Sequence, residues 1–216
     1  AEVVIRDECT SLVGSEMCIR DSTITGQSAR NEGIAYFKSD MSLVTGKFRQ
    51  VFGDCIKEEG FYKDGIKNGL WKSWDCNETN DLTFEGEFIE GKKNGIHKNW
   101  YKGQLESEET YNKGEKHGVF KSFHSNGQLE KLTTYAAGKK NGIFEWRLEN
   151  GQLFMEINYK DDIQEGLTRI WSTNNQLIEE GSFKNGKRHG PYKKWKKDGE
   201  LVKEEEYQEG KLVKNN

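Results

Sequence analysis

The 216-residue chain contains a single proline, Pro191, and no apolar run approaching the roughly 20 residues that span a bilayer. Hydrophobic residues make up only 33% of it, which is little for a conventional layered core. Its 33 basic and 36 acidic side chains nearly cancel, so nothing predicts nucleic acid as a partner. The first residues show no basic region followed by an apolar one, which speaks against a signal peptide. A cytoplasmic location is expected, with export as the alternative if a leader was removed.

Most of the chain consists of an internal repeat. An aromatic residue recurs at intervals of 26, 23, 24, 24, 24 and 24 residues, at Tyr62, Phe88, Tyr111, Tyr135, Tyr159, Phe183 and Tyr207. A glycine column from Gly69 to Gly190 and a leucine column from Leu105 to Leu201 keep the same period. Three independent columns with one period indicate a repeat array, in which each repeat packs mainly on its neighbours.

Each repeat contains two short runs that favour β-strands. The first run reads Gly-x-aromatic-x-x-aromatic, and the second places a leucine six residues before a tyrosine, as in Leu129 and Tyr135. Residues six apart share one face of a strand but no stripe of a helix. Between the runs, Asn126-Gly127 and Asp198-Gly199 are typical hairpin turns. We therefore predict β-hairpins joined by Gly-x-x-x-Gly turns into an all-β, elongated, single-layer antiparallel meander.

The pattern Tyr-x-x-Gly-x-x-x-Gly-x-aromatic-x-x-Trp-x-x-x-Gly-x-Leu resembles the variant MORN repeat over about residues 33–213. The resemblance implies a stack of seven to eight hairpins of about 24 residues. It extends to bacterial proteins of the YwqK type, which are commonly labelled antitoxins. It also implies a scaffold that binds other proteins and, for some MORN proteins, lipids.

Three residues depart from the repeat pattern. Asp162 and Asn175 replace turn glycines, and both residue types tolerate the left-handed conformation. Arg147 stands where an aromatic is expected, while Trp146 comes one residue early. A one-residue slip would send that ring to the other face, so we predict a β-bulge there.

The chain divides into a non-repeat segment, residues 1–32, and a repeat array, residues 33–216. Residues 11–21 resemble a peptide known from conceptual translation of sequencing-adapter DNA, and we interpret the segment as an artefact. The alternative is an N-terminal cap, which repeat arrays usually need.

No residue pattern predicts catalysis, a cofactor or a metal site. No Ser-His-Asp set, Cys-His pair or phosphate-binding loop occurs. His117 and His189 lie three repeats apart, and we interpret the histidines, including His97 and His124, as solvated or turn-capping. Cys55 and Cys76 fall in adjacent turn regions, where a bridge is conceivable, but free thiols are the expectation.

Two sets of side chains are candidates for binding. The second aromatic of the first run forms a column, read either as a packed ladder or as a groove for a partner: Trp74, Trp100, Phe123, Trp171 and Trp195. A basic column could gather anionic headgroups, although solvated turn side chains are the expectation: Lys67, Lys93, Lys116, Lys140 and Arg188. Carboxylates on the second run face lysines on the first, which predicts a cross-strand ion-pair ladder.

We therefore predict a non-catalytic scaffold that binds another protein, in the manner of an antitoxin or immunity protein. The alternative is a lipid- or glycan-binding module of an envelope or surface protein. Exposed edge strands at the ends of the array also make edge-to-edge self-association conceivable.

Overall fold

The computed structural model describes residues 7–12, 15–20, 34–37, 42–52, 55–76 and 78–215. All of its regular elements are β-strands. Their bounds are β1 Asp7–Leu12, β2 Ser15–Arg20, β3 Ile34–Phe37, β4 Gly46–Phe52, β5 Cys55–Lys63, β6 Ile66–Trp74, β7 Leu82–Ile89, β8 Lys92–Tyr101, β9 Gln104–Asn112, β10 Glu115–Lys116, β11 Gly118–Phe123, β12 Leu129–Ala136, β13 Lys139–Arg147, β14 Leu153–Lys160, β15 Ile163–Trp171, β16 Leu177–Lys184, β17 Lys187–Trp195, β18 Leu201–Gln208 and β19 Lys211–Asn215.

Strands β4 to β19 form one 16-stranded sheet in chain order, with the short β10 pairing β9 off the main path. Every pairing whose register is defined is antiparallel, as in β15 with β16 and β17 with β18. The predicted all-β open meander of stacked hairpins is confirmed. Strands β1, β2 and β3 form a separate three-stranded sheet. Because residues 21–33 lie outside the described residues, the boundary at residue 33 stays a prediction.

The chain forms two compact units. The first comprises Ala1–Gly103 with Tyr111–Gly114, and the second comprises Gln104–Thr110 with Glu115–Asn216. The core of the first unit is a cluster of buried rings and one aliphatic side chain: Val44, Phe48, Tyr62, Trp71 and Phe88. The buried residues of the second unit include Phe120, Thr168, Tyr192 and Glu205.

The turns that join repeats are two-residue turns with positive φ at both central residues, the geometry of a type I′ hairpin. Ala137-Gly138 has φ values of 48° and 80°, and Asp161-Asp162 has 51° and 68°. The predicted tolerance of Asp162 and Asn175 for positive φ is confirmed, since Asn175 has a φ of 65°. The Gly-x-x-x-Gly segment is not one turn, however. Its first glycine lies in the turn, and its second lies inside the next strand.

That second glycine marks a β-bulge. Gly166 and Gly190 have φ values of 87° and 90°, and the pairing register shifts beside such glycines, as between Gly181 and Phe183. A further register shift occurs at the other end of the hairpin, between Trp146 and Arg147. The bulge predicted at Arg147 is thus confirmed. It is not caused by the misplaced Trp146, because the same shift recurs between Ile170 and Trp171.

The leucine and tyrosine columns lie on opposite faces, contrary to the expectation from their spacing. The shift between Ser122 and Phe123 makes Leu129 the partner of Phe123. Directly opposed residues point to the same side of a sheet, so Leu129 shares a face with Phe123 and Lys121. Tyr135 pairs with Gly118 and lies on the other face. The bulge inserts one residue, which reverses the alternation that the six-residue spacing assumed.

The turn at Ala137 offers a test of the type I′ geometry. Ala137 is exposed and has a φ of 48°, a conformation that an alanine adopts at a cost. Asn185 holds the same position in a later repeat with a φ of 51°. We expect Ala137→Asn to raise the free energy of unfolding by about 0.5–1 kcal/mol, and Asn185→Ala to lower it by a similar amount. Urea denaturation measures both, and a stabilising Asn185→Ala would contradict the turn assignment.

Cys55 and Cys76 form a disulfide, so the expectation of free thiols is wrong. Their Cα atoms lie 5.7 Å apart, inside the range that a disulfide bridges. Because β5 and β6 run antiparallel, the start of β5 lies beside the end of β6. The 21-residue separation in sequence therefore closes to a direct contact between adjacent turns. Sequence spacing alone did not reveal that the two turns share an edge.

Candidate interaction surface

Strand pairing gives the array two chemically different faces. The ring face carries the first aromatic column together with the tyrosine column. The first aromatic column consists of Phe48, Trp71, His97, Phe120, Phe144, Thr168 and Tyr192. The ladder face carries charged residues that pair directly across the strands: Arg49, Glu59, Lys72, Glu85, Lys98, Glu108, Lys121, Glu145, Glu156, Arg169, Glu180, Lys193 and Glu204.

The rings of the ring face pack against one another. In the first unit, the ring centroids of Tyr62 and Trp71 lie 4.9 Å apart and those of Phe48 and Trp71 lie 5.5 Å apart. In the second unit, Phe120 and Tyr135 lie 4.7 Å apart. These are the separations at which aromatic pairs attract beyond simple area burial. The ring face is therefore the face that holds the repeats together.

Burial and hydrogen bonding shift the pKa values of several groups on the ring face. Loss of hydration raises the pKa values of the Tyr135 and Tyr192 hydroxyls. Glu205 is buried, and the hydrogen bond from Lys203 holds the pKa of its carboxyl below the usual value. The Tyr207 hydroxyl also donates to Glu205 at 2.8 Å. The charged carboxylate of Glu205 thus has hydrogen-bond donors, at a position where most other repeats carry a smaller or apolar side chain.

The basic column lies over these rings, where the sequence predicted solvated turn side chains. Lys67 Nζ is 4.0 Å from the centroid of Trp71, and the guanidinium carbon of Arg188 is 4.0 Å from that of Tyr192. Lys116 is 5.0 Å from Phe120 and 5.1 Å from Tyr135. These are cation–π distances. The cations therefore cover the rings from the solvent side, and the expectation of purely solvated side chains is wrong.

One repeat replaces both partners of this contact together. Thr168 occupies the first aromatic position, and Gln164 occupies the position of the basic residue. Gln164 Nε2 donates a hydrogen bond of 2.6 Å to Thr168 Oγ1. In this repeat a hydrogen bond replaces the cation–π contact. Because the aromatic and the basic residue are both replaced, no lysine side chain is left without a ring to contact.

His97 belongs to the ring face and is fully buried, so its interpretation as solvated or turn-capping is wrong. It is 0% exposed, and its ring lies 5.2 Å from both Phe88 and Tyr111. Its Nε2 donates to the carbonyl oxygen of Glu87 at 2.8 Å, as Trp71 Nε1 does to Phe61 at 3.2 Å. His97 therefore substitutes for a core aromatic ring.

His124 does act as a turn-capping residue. Its Nε2 donates to the carbonyl oxygen of Arg147 at 2.8 Å. Nearby, Asn126 Nδ2 donates to the carbonyl oxygen of Glu149 at 2.6 Å, and Asn174 Nδ2 donates to that of Lys197 at 3.1 Å. These bonds connect successive turns of the second unit.

The predicted ion-pair ladder is present on the ladder face. Lys72 and Glu85 are 2.8 Å apart in the first unit. In the second, Arg169 bridges Glu156 at 3.5 Å and Glu180 at 2.8 Å. All of these groups remain partly exposed, so each pair contributes a few tenths of a kcal/mol up to about 1 kcal/mol.

The departure at Arg147 is part of this ladder. Glu145 stands where the neighbouring repeats carry lysine or arginine, and it lies directly opposite Glu156. Arg147 Nη2 contacts Glu145 Oε2 at 2.7 Å, and Arg147 Nε contacts the same oxygen at 3.0 Å. Arg147 therefore neutralises a carboxylate that would otherwise face another carboxylate.

This compensation is testable with a pair of variants. We expect Arg147→Trp, which restores the repeat pattern at that position, to destabilise the second unit by about 1 kcal/mol, because Glu145 would then face Glu156 without its cation. Adding Glu145→Lys should recover most of the loss. Thermal unfolding of the four proteins of the double-mutant cycle measures the coupling. Strictly additive effects would show that the two departures are independent.

The second aromatic column lies on the ladder face. Each member stands two residues after a ladder residue on the same strand, as Arg147 stands after Glu145, and residues two apart share a face. All five rings are half-buried: Trp74, Trp100, Phe123, Trp171 and Trp195. Within the described chain, none of them is in ring contact with another aromatic residue, so the interpretation as a packed ladder of rings is wrong. The ring–ring packing occurs on the opposite face.

An aliphatic column runs along the other side of the ion-pair ladder, and sequence reasoning missed it. Its members precede the first aromatic by one residue, and they are Leu70, Ile96, Val119, Ile143 and Leu167. Leu70 and Ile96 are each 53% exposed. The signal was present in the sequence, because every Gly-x-aromatic motif from Gly69 to Gly166 has an aliphatic residue at x.

Two findings bound the chemistry of this surface. Over the residues with a described structure, no group of three or more His, Cys, Asp or Glu side chains could hold a metal ion. In the same part of the chain, no helix has the length and apolar character to cross a membrane.

Comparison with known families matches three consecutive repeats to the MORN repeat variant, at residues 116–137, 140–161 and 164–185. These segments lie in the second compact unit and correspond to the hairpins β11–β12, β13–β14 and β15–β16. No curated protein matches the chain.

Proposed function

We propose that the array is a non-catalytic scaffold that binds another protein through its ladder face. One observation supports this most directly. The ring face is closed by its own rings and cations, whereas the ladder face leaves an aliphatic residue and an aromatic residue partly open in most repeats. A surface with regularly placed apolar side chains between charged ones is typical of protein-binding sites.

The chemistry of the ladder face favours a protein over a lipid surface. From Glu156 to Glu204 its charges alternate in sign across the strands, so this part of the face has no single-sign patch that attracts an anionic bilayer. A protein partner can match alternating charges with its own side chains. The family that matches three of the repeats is generally associated with binding proteins or membrane lipids, and a lipid surface is therefore an outcome that the test must separate.

The finer form of the proposal is an antitoxin-like role, in which the ladder face covers the active surface of a toxic partner. This form rests on the resemblance stated above. An isolated partner that loses its activity when the array binds would support it, and a partner that keeps full activity in the complex would contradict it.

The experiment compares the two faces with three variants, two of which copy residues that other repeats carry at the same position. Trp171→Arg copies Arg147, and Ile143→Asp charges the aliphatic column; both alter the ladder face. Lys116→Gln copies Gln164 and alters only the ring face. A partner captured by the unchanged protein is purified, and its dissociation constant is measured with each variant after circular dichroism has verified folding.

We expect the two ladder-face variants to bind the partner at least about tenfold more weakly and Lys116→Gln to bind it normally. Weaker binding by Lys116→Gln alone would place the interaction on the ring face instead. Binding of anionic phospholipid vesicles that depends on Lys116, without any protein partner, would replace the proposal by a lipid-binding function.

A further inference from the structure

A groove with a volume of about 670 Å³ opens on the ladder face of the first compact unit. Its lining includes Lys47, Arg49, Glu59, Phe61, Leu70 and Lys72. These residues come from β4, β5 and β6, three consecutive strands of the sheet. The groove therefore lies across the strands, where a neighbouring chain can contact several of them at once.

Two residues of the groove reverse the chemistry of the repeat. At the position of Lys47 the following repeats carry an aliphatic residue, such as Leu70 and Ile96. At the position of Phe61 the following repeats carry polar residues: Glu87, Thr110, Thr134, Asn158, Ser182 and Glu206. Lys47 and Phe61 are direct cross-strand partners, so both departures meet at one place in the sheet. The repeat pattern alone does not require either of them.

The groove carries an excess of positive charge. Three lining cations, Lys47, Arg49 and Lys72, face one lining carboxylate, Glu59, which leaves a net charge of +2. Glu59 is bound by Arg49 at 3.0 Å, and Lys72 is bound by Glu85 at 2.8 Å. Lys47 is exposed and has no ion pair with any residue of known placement. A carboxylate from outside is the complementary group for it.

The same groove exposes apolar surface. Phe61 is 39% exposed and Leu70 is 53% exposed, and both line the groove, Phe61 on the strand next to that of Lys47 and Leu70 one strand further. An aliphatic or aromatic side chain of a partner would remove this surface from water, at roughly 25 cal/mol per Å² buried. The site thus combines one apolar contact with one cation that can receive a carboxylate.

We propose that this groove binds an acidic segment of a partner protein in which an apolar side chain stands beside a carboxylate. The inference rests on the proposed protein-binding function. It specifies which kind of peptide segment binds to the part of the ladder face that β4, β5 and β6 form. A free long-chain carboxylate fits less well. Only Phe61 and Leu70 would contact its acyl chain, and the rest would lie over the charged side chains of Arg49, Glu59 and Lys72.

The test uses a fluorescent hexapeptide in which glutamates flank a central leucine and phenylalanine, with the full chain as receptor and anisotropy as the readout. The double variant Lys47→Ile/Phe61→Thr restores the repeat pattern and should fold, because other repeats carry these residue types at both positions. Ile163→Thr changes an apolar residue of the second unit that is 48% exposed and belongs to neither the aliphatic nor the second aromatic column, so it serves as the matched control. A peptide with lysines in place of the glutamates tests the charge requirement.

We expect the double variant to bind the acidic peptide at least about tenfold more weakly, with Ile163→Thr unchanged and the lysine peptide not binding. Equal binding by the double variant and the unchanged protein would overturn the inference. So would dodecanoate binding in the absence of peptide binding.

This result is separable from that of the proposed function. A partner that needs Trp171 and Ile143 but is unaffected by Lys47→Ile/Phe61→Thr would leave the scaffold function standing and remove only the groove.

Discussion

Replacing Gly60 or Gly86 by alanine is expected to lower the stability of the first compact unit by about 3 kcal/mol or more. Each glycine lies under a fully buried ring of the ring face. A Cβ atom on Gly60 would lie 2.3 Å from the Trp71 ring, and one on Gly86 would lie 2.3 Å from the His97 ring. Both rings are 0% exposed, so a displaced ring would press on the side chains packed around it. Urea denaturation followed by tryptophan fluorescence measures the loss.

A control separates this steric effect from the general cost of removing a glycine. Gly69 in the same unit has a φ of 75°, and a Cβ there would meet no atom within 4 Å. Gly69→Ala should therefore cost only about 1 kcal/mol, from backbone strain. Trimming the ring in Gly60→Ala/Trp71→Leu should recover part of the loss. If Gly60→Ala were no more harmful than Gly69→Ala, the close packing of Trp71 on β5 would be wrong.

Loss of the Cys55–Cys76 disulfide is expected to destabilise the first unit by about 3 kcal/mol. The bridge closes a loop with a sequence separation of 21 residues, and the chain-entropy estimate for a loop of that size gives about this value. Cys55→Ser/Cys76→Ser should show the effect without any reductant. Hydrogen exchange resolved by segment should show faster opening of β5 and β6, with β14 to β17 unchanged.

The double variant also provides the control for a redox experiment. Reductant should lower the unfolding midpoint of the unchanged protein and leave that of Cys55→Ser/Cys76→Ser unaltered, even though Cys9 and Cys18 remain. An unchanged protein that unfolds identically with and without reductant would contradict a structural bridge between these cysteines.

The hairpin repeat could be predicted from the sequence because its turns and periods are local signals. The Asn126-Gly127 turn is a signal from two adjacent residues, and the 24-residue period, as between Tyr135 and Tyr159, can be read directly from the sequence. The bulges were harder, because a glycine such as Gly166 reads equally well as a turn residue or as a strand residue with positive φ. A second kind of bulge, at the other end of the hairpin, was predicted only at Arg147, and missing it between Ser122 and Phe123 led to the wrong face for Leu129.

The contacts between repeats could not be derived from spacing alone. The Cys55–Cys76 bridge depends on two turns lying at the same edge, and the burial of His97 depends on the room that Gly86 leaves above the strand. Both follow from strand register rather than from the residue types. The cations over the rings were missed for the same reason. The positions of Lys116 and Tyr135 in the sequence do not show whether the lysine side chain extends into solvent or lies over the tyrosine ring.

Some of the missed contacts do leave a trace in the sequence. Gln164 and Thr168 change together within one repeat, and so do Glu145 and Arg147. In each case the second change restores a contact that the first removes. Comparing positions between repeats, rather than within one, exposes such paired changes. The same comparison drew attention to Lys47 and Phe61, which reverse the polarity of the repeat with no compensation inside the array.

Oxidative footprinting of the tryptophans tests the division into a closed ring face and an open ladder face most directly. Hydroxyl radicals modify side chains in proportion to their exposure, and mass spectrometry resolves each site. The account predicts that Trp71 on the ring face is protected, whereas Trp74, Trp100, Trp171 and Trp195 on the ladder face are modified. Equal modification of Trp71 and Trp171 in the folded protein would contradict it.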